Sequence, residues 1–241
     1  MSTAGLLIIG NEILSGKVVD ENSPFLCREM RELGVDVERI LTISDDVDLI
    51  AREVLAMSNA YDYVLTSGGI GPTHDDVTFE GIAQAFGRSI ELNESIAARL
   101  RRASKEEPNE SAMKMAMIPQ GASLLDAGDL WFPLVVIENV YVFPGIPELL
   151  RKKFTSSRER FRGIPFEVRR VFVTLSESEI VTDLNALLDE FPDLLLGSYP
   201  KIGETAFRVL LTLESRDADY LQRALASLLD RLSSDCIHKL E

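Results

Sequence analysis

Two rhythms of apolar and polar positions alternate through the first 150 residues. GLLIIG, VDVERILTI and YDYVLTS are apolar runs of strand length, while SPFLCREMRELG and DVDLIAREVLAMSNA between them repeat apolar residues at helical spacing. Ser23 followed by Pro24 reads as an N-cap and first helical residue, and Gly34 stands where that helix should stop. The strand–helix–strand–helix–strand order predicts a parallel sheet with helical crossovers, covered on both faces because its first and third strands are continuously apolar. Further along, DVTFEGIAQAFG and NESIAARLRRASKEE read as helices, and NESAMKMAMIP as a short helix ended by Pro119. ASLLD, PLVVIEN and VYVFPG read as short strands with turns at DAGD and PGIP, and PELLRKKFTSSRERF as a closing helix.

From about residue 164 the rhythm becomes β-α-β-β-α-β, carried by EVRRVFVTL, SEIVTDLNALLDEF, DLLLGSY, AFRVLLTLE, ADYLQRALASLLDRL and CIHKL. The expectation is an α/β three-layer, mostly parallel domain over 1–163 and a small ferredoxin-like α+β domain over 164–241.

Composition narrows the function. A chain of 241 residues, 46% hydrophobic, can bury a sizeable core. No apolar run reaches membrane-spanning length, and MSTAGLLIIG lacks the basic start of a signal peptide, so a cytoplasmic protein without membrane partners is expected. Cys27 and Cys236 are far apart and lack metal-like spacing, which predicts neither a disulfide nor a zinc site. The net charge of −14 argues against a nucleic-acid partner, and the Lys/Arg-rich run from Arg151 to Arg170 is read as a solvated helix face. A small phosphorylated ligand remains compatible with an acidic chain when a cation intervenes.

The densest candidate chemistry is TSGGIGPTHDD, residues 66–76. GGIGPT lacks the third glycine of a dinucleotide fingerprint, and neither it nor GNEILSGK has Walker A spacing. What remains is a glycine loop behind an inner parallel strand, where open α/β sheets bind ligands. Gly68, Gly69 and Gly71 let a phosphate or ring approach the backbone. The plainer reading is a turn in which Asp75 or Asp76 caps the next helix. Glu12, and Asp45 with Asp46, fall after the first two strands, and three loops converging there can offer oxygen ligands to a hard cation; each can equally be a cap. His74 is either a base or loop packing, Lys114 either a phosphate contact or a solvated lysine, and PGIP at 144–147 either a rigid turn or a further wall of the cleft.

As an ordered set, GNEILSG, VVDENSPFL, TISDD, TSGGIGPTHDDVTFE, KMAMIPQGA and PGIP resemble the molybdopterin-binding (MoCF-type) domain of the competence/damage-inducible protein A family. The likeness is nearest to the N-terminal domain of eukaryotic FAD synthase, and it continues through GSYP and VLLTLES. The resemblance implies a three-layer domain whose loop, with Gly10, Ser67, Thr73, His74, Pro144 and Gly145, binds a small pterin or nucleotide. Asp76, Glu80 and Asp75 are then the candidate catalytic groups. Asp45, Asp46 and Asp76 would hold a divalent cation such as Mg²⁺, Mn²⁺ or Co²⁺. It also implies a homo-oligomer and metal-dependent cleavage of the diphosphate bond in FAD or ADP-ribose, the alternative being a non-catalytic pterin- or nucleotide-binding module. FAD synthesis and nicotinamide-nucleotide deamidation are not expected of these 241 residues.

Overall fold

A computed structural model describes residues 1–104, 107–126, 130, 132–204 and 206–241. The contacts divide the chain into two compact units, Met1–Ile164 and Pro165–Glu241.

In the first unit β1 (Thr3–Ile9) is followed by a short helix α1 (Asn11–Leu14), α2 (Asn22–Glu32), β2 (Asp36–Ile43), α3 (Val47–Ala60), β3 (Tyr63–Ser67) and α4 (Thr78–Ala85). Then come β4 (Ile90–Leu92), α5 (Glu94–Ala103), α6 (Glu110–Lys114), β5 (Met117–Pro119), β6 (Ser123–Leu125), β7 (Leu134–Ile137), β8 (Val140–Phe143) and α7 (Pro147–Ser157). The main sheet runs β2-β1-β3-β8-β7-β6. Its first four strands are parallel, and β7 and β6 close it antiparallel.

Strand alternation sends side chains to two apolar layers. Leu7 and Ile9 of β1 pack with Ile50, Val54 and Met57 of α3 and Phe79 and Ile82 of α4. Ala4 and Leu6 face the opposite layer with Leu26 and Met30 of α2 and Leu150 and Phe154 of α7. The register aligns the strand ends: Ile9 pairs with Ile43, Ile8 with Ser67, and Ser67 with Phe143. The loops beginning at Gly10, Ser44, Gly68 and Pro144 therefore leave one edge of the sheet, the carboxyl edge where a ligand site is expected.

Several local expectations change. Ser23 lies inside α2 rather than at its cap. The N-cap position is Glu21, without a side-chain bond, and the Asp20 carboxylate before it serves the first turn, accepting the amides of Asn22 and Ser23 at 2.9 and 3.0 Å and the Ser23 hydroxyl. Pro119 ends strand β5 rather than a helix, because β5 pairs antiparallel with β4, Ile90 opposite Pro119. The closing helix stops at Ser157 and continues as a 3-10 turn over Arg158–Arg160. Residues 127–129 of the expected DAGD turn, and 105–106 at the end of the expected NESIAARLRRASKEE helix, lie outside the described residues.

In the second unit β9 (Glu167–Val173), α8 (Glu177–Glu190), β10 (Leu195–Pro200), β11 (Val209–Ser215), α9 (Ala218–Arg231) and β12 (Ile237–Leu240) form an antiparallel sheet of order β10-β11-β9-β12. This is the split βαβ arrangement. Ile180, Leu184 and Leu187 of α8 and Leu221, Leu225 and Leu228 of α9 share its core with alternate residues of β9 and β11.

Candidate functional site

The chain leaves β3 through Gly68 and Gly69, both with positive φ (109° and 66°). A side chain at Gly68 would place its Cβ 2.0 Å from the Ile9 carbonyl oxygen, so the loop closes against the end of β1 only because this residue has none. The Thr78 hydroxyl donates to the Gly68 carbonyl at 2.9 Å and its amide to the Gly69 carbonyl at 3.0 Å, tying the loop to the start of α4. Neither Asp75 nor Asp76 caps that helix, whose N-cap residue is Val77 without a side-chain bond. Asp76 instead closes its own turn, Oδ2 accepting the Thr73 amide at 2.8 Å and the Thr73 hydroxyl. Its carboxylate lies over Gly71, where any Cβ would meet Oδ2 at 2.7 Å.

The loop after β8 approaches from the other side, close enough that a Cβ on Gly145 would stand 3.4 Å from Gly68 Cα. Asn22, buried at the start of α2, pins the two together: Nδ2 donates to Ser67 Oγ at 2.9 Å and to the Gly145 carbonyl at 2.8 Å. Among the described residues its Oδ1 is buried without a hydrogen-bond partner, beside a hollow of about 60 Å³ that Glu12 and Ser67 also line.

Between the two loops opens a cavity of about 560 Å³. Gly68, Gly69, Gly71, Pro144 and Gly145 form its backbone rim, and Ile70, Met115, Phe132 and Leu149 its apolar wall. Among the described residues, three charged side chains reach it: Glu12, Asp76 and Lys153. Thr73, His74 and Lys114 line a separate, more open concavity. The His74 side chain is 99% exposed, with Nδ1 3.9 Å from the Asp75 carboxylate. Lys114 staples the loop, donating to the carbonyls of Thr73 at 3.1 Å and Asp76 at 2.6 Å and lying 3.7 Å from Glu80.

The carboxylates after β2 divide. Asp46 caps α3 through the Leu49 amide at 2.8 Å. Asp45 accepts the Asn11 amide at 2.8 Å. Burial raises the Asp45 pKa against that hydrogen bond, and the nearby charges of Glu12 and Asp75 raise it further. Gly10 makes room for Glu12, whose Oε1 would stand 2.7 Å from a Cβ there. All-oxygen donors in mutual repulsion suit a hard cation. Among the described residues, however, no three His, Cys, Asp or Glu side chains are gathered so as to hold a metal ion. This set fits a Mg²⁺-like ion that keeps most of its ligands as water and substrate phosphate, and does not fit a closed protein cage.

Sequence reasoning passed over two residues. Lys153 belongs to the run expected to be solvated, yet is 3% exposed. It shares the inward face of α7 with Leu150, Phe154 and Ser157, a spacing that was open to being read. Its Nζ donates to the carbonyls of Phe132 at 2.5 Å and Pro133 at 2.7 Å, and burial together with Arg99 pushes its pKa down to about 7. Asn22, the other, reads locally as an ordinary helix-start residue.

Comparison with known proteins places this geometry in a family. Residues 5–161 match the family described as "Probable molybdopterin binding domain", and 165–241 match "FAD synthase, middle domain". An Archaeoglobus fulgidus protein is 36% identical, over 91% of this chain and 93% of its own length. A "Probable FAD synthase" of Caenorhabditis elegans is 34% identical over 98% of this chain, which spans 51% of that relative. The crystal structure of "the protein CinA with unknown function" from Thermoplasma acidophilum superposes with a TM-score of 0.62 at 28% identity, over 67% of this chain and all of that one. Among the described residues no helix is long and apolar enough to cross a membrane.

Proposed function

The chain belongs to the molybdopterin-binding (MoCF-type) family over residues 5–161, and from that premise we propose that it hydrolyses the diphosphate bond of an adenine dinucleotide of the FAD or ADP-ribose type with the help of a divalent cation. The observation that carries this reading is the cavity itself: a glycine rim and two carboxylates, Glu12 and Asp76, open onto an apolar wall, in a volume suited to a nucleotide.

The side-chain-free rim of Gly68, Gly69 and Gly71 lets a diphosphate lie against the backbone, as larger residues would not. Asp76 is oriented before any ligand arrives, because Thr73 holds Oδ2 from both its amide and its hydroxyl. Glu12 is the group placed to orient a water or take its proton, since it lines the cavity and the adjoining hollow. Asp76, with Asp45 or Asp46 as the other candidate ligand, would supply one or two oxygens to a cation otherwise held by water and substrate phosphate, which when bound would neutralise the diphosphate and ease deprotonation of the attacking water. The partner is a small molecule, and a homo-oligomer is part of the proposal.

The test is incubation of the full chain with FAD, ADP-ribose, CoA and NADH plus Mg²⁺, Mn²⁺ or Co²⁺, with separation of the products. Release of AMP from FAD or ADP-ribose, abolished in Asp76→Asn with unchanged thermal unfolding, is expected; unchanged turnover in that variant sinks the assignment. A second reading, a non-catalytic pterin- or nucleotide-binding module, is favoured by the lack of a gathered three-ligand set among the described residues. Ligand binding without cleavage under every cation would select it.

A further inference from the structure

Lys153 has no part in the chemistry proposed above, yet it lines the same cavity. Burying an ammonium is unfavourable without compensation, and on this face of α7 a methionine or leucine would pack beside Leu150 and Phe154 without that penalty. Two of its three N–H donors meet the carbonyls of Phe132 and Pro133, and the ammonium lies 4.9 Å from the Phe132 ring centroid. Among the described residues no carboxylate pairs with it. The charge acting on it is Arg99 of α5, itself joined to Asp126 at 2.7 Å, and among the described residues the other charged groups on the cavity wall are Glu12 and Asp76. The cavity wall it belongs to includes Phe132, Leu130, Met115 and Leu149, apolar side chains with one aromatic ring among them.

We propose that Lys153 is the specificity-determining contact of this cavity, donating its remaining N–H to a carbonyl or anionic nitrogen on the edge of a flat heteroaromatic ring that packs against Phe132. Resting on the diphosphate reading, this contact also sets the direction of the ligand, with its diphosphate at the glycine rim and its carbonyl-bearing ring at Lys153. The two adjacent carbonyls hold the ammonium in place, so the donor is fixed before binding. A ring edge without a carbonyl or anionic nitrogen, such as adenine's with its neutral ring nitrogens, would give that donor a weaker acceptor, which is how the site would discriminate. An acceptor there favours the charged amine, and because burial brings this lysine to about neutral pH, binding should draw a proton from solution.

Riboflavin, a carbonyl-bearing ring without a diphosphate, and ADP-ribose, a diphosphate without such a ring, separate the two claims. By fluorescence and calorimetric titration, Lys153→Met should weaken riboflavin about tenfold or more relative to its effect on ADP-ribose, as expected for losing a charge-assisted hydrogen bond. The wild-type chain provides a measurement free of folding effects: calorimetry at pH 8 in buffers of different ionisation enthalpy should show proton uptake with riboflavin. Equal losses for the two ligands, or no proton uptake, would overturn the proposal, as would absence of riboflavin binding to the wild type. Selective riboflavin loss without cleavage of any dinucleotide would uphold Lys153 and defeat the hydrolase reading. Cleavage with riboflavin binding indifferent to Lys153→Met would do the reverse.

Discussion

The two charged regions of the cavity are built in opposite ways. At the glycine rim, Glu12 and Asp76 reach the cavity with Asp45 and Asp75 on the neighbouring loops, acidic groups partly open to water, of which Asp45 and Asp76 are held by backbone amides. At the far wall, Lys153 is one basic group on the inner face of a long helix, closed off by aromatic and aliphatic side chains and held by backbone carbonyls. Water screens the carboxylates, so several can crowd together at modest expense; the lysine has no such screening, and its pKa falls accordingly. Crowded, hydrated carboxylates suit a cation or phosphate chemistry that exchanges with solvent. A dry, immobilised ammonium suits recognition.

Perturbing each region separately sharpens this contrast. The largest effect should come from Lys153 through pH. Its folded pKa of about 7 lies below the ordinary 10.5, so the unfolded chain binds the extra proton between these values. The folded state therefore gains stability as pH rises through that window, on the order of 5 kcal/mol in full. Lys153→Met should remove that rise, seen as a flattened difference between urea unfolding curves at pH 7 and pH 10. An equal slope in both proteins would mean that the lysine is hydrated. Next, Gly68→Ala should destabilise by about 3 kcal/mol, because the residue combines positive φ with a carbonyl oxygen where Cβ must go. Denaturant unfolding measures this, and a near-neutral result would show that the rim can relax. The smallest effect distinguishes the carboxylates from one another. Asp46→Ala should cost about 1 kcal/mol through the lost cap of α3, whatever its bearing on a cation, whereas Asp76→Asn, which keeps an oxygen acceptor for Thr73, should act chiefly on turnover.

Much of this contrast was open to reading in advance on one side only. The glycine rim announces itself because strand, glycine pair and aspartates are contiguous in TSGGIGPTHDD, and because apolar runs on either side locate the strand end. The carboxylates at 12, 45 and 76 were visible as candidates, but not their partners. Asp46 turned out to be a cap, Asp20 to serve the first turn of α2, and Asp76 to be a turn lock rather than a cap. The short elements were missed for a related reason. Strands β4 and β5 are three residues each and exist through pairing with one another, and α1 spans only four residues. Local periodicity has too few positions to register either. Lys153 was misplaced because charge overrode position: its spacing from Leu150 and Phe154 marks it as inward, while its type suggests solvent.

By itself the sequence determined the long strands and helices and their order, the mostly parallel layered first unit, the split βαβ pattern of the second, and the edge of the sheet where a glycine loop must emerge. These follow from apolar periodicity and crossover geometry, which act over a few residues or through general topological constraints. Tertiary structure decided which carboxylates face the cavity, that Asn22 joins two loops by donating to a carbonyl 123 positions away, and that a lysine in a basic run is dry. Each of these depends on what a side chain meets from a distant segment, and desolvation is a property of that meeting rather than of the residue.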